Sequence, residues 1–231
     1  MSKIVNYYQK IKGAGKPKSD NDINVDDNSR WCIVGRSGSY KTTIALNILR
    51  ELGFDKLYLV AKDITEPLYE GYLIPTVRKL EKRVKEPILQ VCTDPSELPS
   101  VDEFDKDKKN IVVFDDMILN KNNDNIREMY MRGLKKGITS MFLSQSFFDM
   151  DKFLRKNLDY IILKSLSSVQ DLKRILREFN SNDVDPSLLV EIHKRAISRD
   201  PMSFLMIDLK AQDPNRKYRV GFDGFIPITE N

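Results

Sequence analysis

The chain has 231 residues, 41% of them hydrophobic and 31% charged, with a formal net charge of +4. That length suits one domain with elaborations, and that balance excludes a disordered chain and a bulk charge that by itself demands a polyanionic partner. Two cysteines, Cys32 and Cys92, exclude a disulfide framework, and no apolar run approaches the roughly 20 residues of a membrane span.

The start MSKIVNYYQKIK lacks the apolar centre of a secretory signal, so a cytosolic setting, or the compartment of its partners, is expected. Residues 1–30 read as a basic/acidic N-terminal arm. Lys3, Lys10, Lys12, Lys16 and Lys18 come before Asp20, Asp22, Asp26 and Asp27, with GAGKPKS at the join. Such blocks mark a linker, either a solvated tail or an arm that touches nucleic acid. Residues 31–231 are expected to form the domain proper.

WCIV is a short apolar strand, and KTTIALNILREL a helix with Ile44, Ala45, Ile48, Leu49 and Leu52 on one face. KLYLVAK is a second strand. EPLYEGYLIPTVRKLEKRVKE reads as two helical pieces split at Pro75, because proline lacks a backbone donor and crowds the preceding turn. ILQVC is a strand, and TDPSELPSVDEFDKDKKN an exposed loop. IVVFDD is a continuous apolar run that ends in two acids, as a central parallel strand does. NIREMYMRGLKK is a helix stopped by Gly137. ITSMFLSQ is a buried strand, DMDKFLRKN a short helix and DYIILK another strand. SVQDLKRILREF carries Val169, Leu172, Ile175, Leu176 and Phe179 on one stripe. In DPSLLVEIHKRA, Asp185 can cap and Pro186 take the first helical position. PMSFLMIDL and YRVGFDGFIPI look like a closing strand pair. The alternation predicts an α/β fold, a mostly parallel central sheet flanked by helices with a C-terminal strand pair. In such sheets ligands gather beyond the carboxyl ends of the strands.

GRSGSYKTT, residues 35–43, nearly spells a phosphate-binding loop. Such a loop turns backbone N–H groups inward and delivers the phosphate to a helix N-terminus. Gly35, Arg36, Ser37, Gly38, Ser39, Tyr40, Lys41, Thr42 and Thr43 are therefore the candidate nucleotide-binding residues. Gly35 is expected to make the first tight turn and Gly38 to relieve crowding. Lys41 would reach the β- and γ-phosphates, and the Thr42 hydroxyl would ligate Mg²⁺. Tyr40 stands where the pattern wants glycine; if its φ is positive, it costs of order 1 kcal/mol or more. At the tip of IVVFDD, Asp115 is the candidate Mg²⁺ residue and Asp116 the candidate acceptor of a proton from water. Two acids that merely cap a strand are the alternative. Gln145, polar at the end of a buried strand, is the candidate sensor that orients the water or contacts the γ-phosphate.

In order and spacing, GRSGSYKTT, IVVFDDM, RGLKKGITSMFLSQSFFDM and LRKNLDYIIL resemble the poxvirus-type genome-packaging ATPases of the FtsK–HerA superfamily of P-loop motors. The resemblance implies a RecA-like ATPase core that uses ATP and Mg²⁺ and assembles into a homo-oligomeric ring. It implies translocation of double-stranded DNA, gripped without sequence preference, into a preformed capsid, with capsid or portal proteins as partners. The location implied is the host-cell cytoplasm (the viral factory) or the assembling virion. Carried over by position, Lys41 and Thr42 bind nucleotide, Asp115 and Asp116 form the metal and water-activating pair, and Gln145 is the sensor. The family often has Arg-Gly-Arg-His before the sensor strand; here RGLKK keeps only Arg132, so Leu134 and Lys135 inherit no role. Tyr40 is the other departure. Ring motors complete each site with a neighbour's arginine, worth about 10³–10⁵ in rate; Arg132 and Arg155 are the candidates. Arg78, Lys79, Lys82, Arg83 and Lys85 are candidate DNA contacts, although the interleaved Glu81 and Glu86 favour a solvated helix face. His193 is expected on a polar helix face and Trp31 at the edge of the core. Two other readings stay open: a small nucleoside or nucleotide kinase, and a degenerate P-loop scaffold that binds DNA without hydrolysis.

Overall fold

In a computed structural model, which describes residues 21–117, 124–179, 184–198 and 200–227, one sheet runs through the molecule. Its strands are β1 (Arg30–Val34), β2 (Lys56–Ala61), β3 (Leu89–Cys92), β4 (Asn110–Asp115), β5 (Ile138–Ser144), β6 (Tyr160–Leu163), β7 (Leu205–Asp208), β8 (Tyr218–Val220) and β9 (Gly224–Phe225). They lie in the order β3-β2-β4-β5-β1-β6-β7-β8-β9. The first six in that order are mutually parallel, and the last three are antiparallel. The expected closing pair is therefore a three-stranded ribbon. β8 and β9 turn back on each other within YRVGFDGF, a stretch that reads as one strand.

Helices α1 (Lys41–Leu52) and α2 (Ile74–Val84) cover one face. Helices α3 (Asp124–Arg132), α4 (Lys152–Arg155), α5 (Val169–Phe179) and α6 (Pro186–Ser198) cover the other. Burial on both faces is why the central strands read as unbroken apolar runs. In β1, Trp31 and Ile33 face α1 and α2 while Cys32 and Val34 face the opposite layer. All five apolar residues predicted for one face of α1 are buried. On α5 the stripe is narrower than expected: Leu172, Ile175 and Leu176 are buried, but Val169 is exposed.

Four local expectations are corrected. Residues 21–29 are not free arm: Ile23 and Val25 are buried, and the Ser29 hydroxyl accepts from the Trp31 indole. The N-terminal lysines up to Lys18 lie outside the described residues. Pro75 does not split its helix, because a π-helical turn, Tyr69–Leu73, runs straight into α2. There the Ile74 N–H reaches back five residues to the Tyr69 carbonyl, and this wider turn accommodates the proline. The loop after β3 is not wholly exposed, since Leu98, Val101 and Phe104 are buried. His193 is likewise buried, 3% exposed, and its Nε2–H donates to the Lys164 carbonyl at 3.0 Å.

Candidate active site

The strand order makes the tips of β4, β5 and β1 neighbours. Asp115 lies opposite Leu143, and Val34 opposite Ser144. β1 sits between β5 and β6, but the chain leaves it to build β2 on the far side of β4. That reversal opens a crevice beyond the strand tips. A cavity of about 550 Å³ occupies it, lined by residues 37–43 together with Glu66, Leu68, Asp115, Asp116 and Gln145. Its size suits a nucleotide-sized ligand.

The loop holds its shape through two different glycine requirements, the reverse of those expected. Gly38 adopts φ +70° with open space around its α-carbon, so conformation selects it. Gly35 is selected by crowding: an added Cβ would lie 2.5 Å from Ser39 Oγ and 2.6 Å from Lys164 Cβ. Tyr40 takes φ 66°, ψ 25°, the left-handed conformation anticipated for a glycine there, with its side chain 47% exposed. It immediately precedes α1, which starts with no side-chain cap and no acidic residue in its first turn. Its leading N–H groups and the positive end of its dipole face the cavity.

Lys41 folds over the loop, donating from Nζ to the Gly35 carbonyl at 2.9 Å and the Arg36 carbonyl at 3.4 Å. Burial lowers its pKa, and Asp116 and Asp115 push it back up. Burial raises the Asp115 pKa, against a hydrogen bond from Tyr69; the neighbouring Asp116 charge adds to the rise and Lys41 opposes it. Asp116 leaves the strand with φ 48°, anchored by its N–H to the Leu143 carbonyl at 3.0 Å. Gln145 Nε2 donates to Asp116 Oδ2 at 2.8 Å. Gln145 itself is exposed, one residue past the end of β5, so its polarity carries no burial cost.

Two residues absent from the sequence-based candidates complete the site. Tyr69 is 1% exposed, and its hydroxyl donates to Asp115 Oδ2 at 2.6 Å. Burial, with the Asp115 charge next, drives its pKa well above that of a free phenol. Glu66, which accepts from the Leu68 and Tyr69 N–H groups, brings a third carboxylate to the cavity wall. Nothing in the periodicity of EPLYEGY marks either residue: Glu66 is placed by accepting the N–H groups at the helix start, and Tyr69 opens the π-helical turn.

The two arginine candidates are not brought here. Arg132 pairs with Asp102 at 2.7 Å just ahead of β5, at the amino end of that central strand rather than at its carboxyl tip. Arg155 is only 11% exposed, bonded to Glu178 and the Met150 carbonyl and set against the rings of Phe147 and Phe148.

The donor set fits a triphosphate that arrives with a divalent cation. One lysine faces three carboxylates in the cavity wall, so a bare polyphosphate would be repelled, whereas its magnesium complex is not. Among the described residues no group of three or more His, Cys, Asp or Glu side chains is placed to hold a metal alone. That suits an ion that takes one protein carboxylate and keeps phosphate and water oxygens for the rest. Ser39 Oγ, buried in the loop with no hydrogen-bond partner, is a polar atom that a bound phosphate can satisfy.

The pattern of the family described as Poxvirus A32 protein matches residues 19–200. No curated protein sequence matches. Among solved structures, the genome packaging NTPase B204 from Sulfolobus turreted icosahedral virus 2, in complex with AMPPCP, is similar at a TM-score of 0.59 and 14% identity. That match covers 85% of this chain and 98% of that one. The same protein in complex with ATP-gammaS gives 0.56 and 16%, covering 89% and 100%. B204, the DNA-packaging ATPase from Sulfolobus turreted icosahedral virus, gives 0.55 and 15%, covering 84% and 96%. At such identities the likeness is one of fold: a RecA-like P-loop core with a mostly parallel sheet.

Proposed function

The chain belongs to the Poxvirus A32 protein family, and from that premise we propose that it is a Mg²⁺-dependent ATPase that drives double-stranded DNA into a preformed capsid during virion assembly. The observation that carries this reading is the meeting of Lys41, Thr42, Asp115, Asp116 and Gln145, drawn from three separated segments, around one cavity. The B204 packaging NTPases, similar in fold, are known in complex with AMPPCP and ATP-gammaS, and an ATP-like ligand suits this cavity's size and donors.

In this reading the loop and the first turn of α1 hold the phosphates, and Lys41 exchanges its carbonyl partners for phosphate oxygens. Thr42 and Asp115 would hold Mg²⁺, which would supply neutralisation of the phosphate charge. Tyr69 pins the Asp115 carboxylate. Asp116 and Gln145 sit together where a water must be held. As the water oxygen bonds to the γ-phosphorus and the bond to ADP breaks, Asp116 takes the water's proton. Catalysis here is positioning and charge neutralisation, with no covalent step on the protein.

Among the described residues no arginine lines the cavity, and in this reading a neighbour in a ring supplies one. Arg132, the more exposed of the two candidates, remains available for that role. Residues 31–231 act as the ATPase domain in this reading, with capsid or portal proteins as further partners. Among the described residues no helix is long and apolar enough to cross a membrane. The setting proposed is the host-cell cytoplasm or the assembling virion.

Phosphate release against protein concentration, with and without duplex DNA, tests this reading. Turnover per chain should rise with concentration and again with DNA. Transfer of phosphate to a nucleoside acceptor without free phosphate would identify a kinase instead. No turnover at any concentration would leave a non-hydrolysing scaffold.

A further inference from the structure

Residues 78–85 carry five cations and one acid, Glu81. In the sequence the acid looks like a neutraliser of its neighbours. In the structure it is turned inward: its side chain is 12% exposed, and its Oε1 accepts from the Ile88 N–H at 2.7 Å and the Leu89 N–H at 2.8 Å. Arg78 closes over it at 2.9 Å. Burial works against the ionised carboxylate, but hydrogen bonds from Leu89, Arg78 and Ile88 prevail and hold its pKa at about 2. Glu86 is likewise occupied, by Lys108 at 3.2 Å. Lys79, Lys82, Arg83 and Lys85 are all exposed, and none makes an ion pair among the described residues.

Lys79, Lys82 and Arg83 fall at i, i+3 and i+4, which sets them on one outward stripe roughly opposite the buried Val77. Like charges at that spacing repel one another. Cations in a last turn do complement the helix dipole, but that effect fades within the turn and does not require four of them. The cluster therefore has no internal counterpart, and its missing partner is a closely spaced polyanion.

We propose that the outward face of α2, through Lys79, Lys82 and Arg83, together with Lys85 just past its end, is a duplex-DNA contact that binds backbone phosphates without reading sequence. This rests on the packaging reading above and adds the surface that meets the substrate. DNA is favoured over an anionic membrane because the exposed apolar residues Leu80 and Val84, at i and i+4, lie away from the stripe of Lys79, Lys82 and Arg83. They share the side of α2 where Leu80 lines the groove against α1. The same helical segment carries Tyr69 at its other end, bonded to Asp115, so a contact on this face is mechanically continuous with the candidate active site.

The test uses the full chain with Lys79, Lys82, Arg83 and Lys85 all changed to Gln. A control variant has Lys106, Lys135, Lys156 and Lys194 changed to Gln, removing equal charge from other positions. Binding to duplexes of unrelated sequence is followed across salt concentrations, alongside DNA-independent phosphate release. The α2 variant should bind at least tenfold more weakly. Its log-affinity against log-salt slope should be shallower by about 3.6, at near 0.9 for each of the four DNA phosphates no longer neutralised. Its basal turnover should be unchanged, and the control should bind DNA much as the wild type does. Equal weakening in both variants, or an α2 variant that binds like the wild type, would overturn the assignment. So would an α2 variant that loses binding only to phosphatidylserine vesicles. A wild type that hydrolyses ATP yet binds no duplex would instead remove the DNA reading itself, and this surface with it.

Discussion

The Tyr69 hydroxyl donates a 2.6 Å hydrogen bond to Asp115 Oδ2 from a position 46 residues earlier in the chain. One buried side chain thus orients the carboxylate proposed to hold the metal. Tyr69→Phe keeps the ring's packing and removes only the hydroxyl. Loss of such an orienting bond typically costs about 10–100-fold in metal affinity. The Mg²⁺ concentration for half-maximal turnover should therefore rise by about tenfold or more. Nucleotide affinity at saturating Mg²⁺ should stay near the wild-type value. A Mg²⁺ requirement that does not change would place Tyr69 among ordinary core residues.

The loop makes contrasting demands at two positions. Gly35→Ala forces a Cβ to within 2.5 Å of Ser39 Oγ, and overpacking of this kind costs about 1–3 kcal/mol. Tyr40→Gly removes a left-handed penalty of about 1–2 kcal/mol but loosens the unfolded chain, so its net effect should stay within about 1 kcal/mol. Tyr40→Val, β-branched at φ 66°, should be clearly destabilising. Chemical denaturation separates the three variants. An unaffected Gly35→Ala would show that the loop packs more loosely than described.

Much of this site is legible in the sequence, because it rests on local chemistry. The apolar run, the glycine loop and the five-residue face of α1 follow from periodicity and turn preference, and the acids of β4 from polarity at a strand tip. Other features depend on contacts distant in the chain. Tyr69 reaches Asp115 only because a π-helical turn shifts its direction, and no 3.6-residue pattern announces such a turn. Glu81 looks like a surface acid until β3 offers it two backbone donors. Residues 21–29 look like linker because only Ile23 and Val25 are apolar, yet both are buried. His193 reads as polar-face because its one partner is a carbonyl on another element.

The bond from Gln145 to Asp116 holds the proposed proton acceptor in place. Gln145→Glu would set a second carboxylate against the first, where like charges compete for one site. Turnover should fall by about 100-fold, in the range seen when one positioned group is lost from a catalytic site. Nucleotide affinity should change little. An equal loss of affinity and turnover would mean that Gln145 serves binding rather than the hydrolytic step.

His193 provides a pH dependence. Burial lowers its pKa below the usual imidazole value, only partly offset by the bond to the Lys164 carbonyl. The unfolded chain therefore binds a proton at a pH where the folded protein does not. The stabilising contribution is complete above about pH 6.5, the unfolded value, and is lost as pH falls from there toward the lower folded value. Tm should drop more steeply between about pH 6.5 and 5 in the wild type than in His193→Gln, whose amide can still donate to that carbonyl. Identical profiles would mean that the imidazole titrates as it does in the unfolded chain.

The central claim is that separated segments form one hydrolytic site, and phosphate release by Asp116→Asn measures this most directly, with ATP-analogue binding followed in parallel. Asparagine keeps the shape and can still bond Gln145, but it cannot take a proton from water at neutral pH. The account predicts turnover at least about 100-fold below wild type with analogue affinity retained. Wild-type turnover in Asp116→Asn would contradict it.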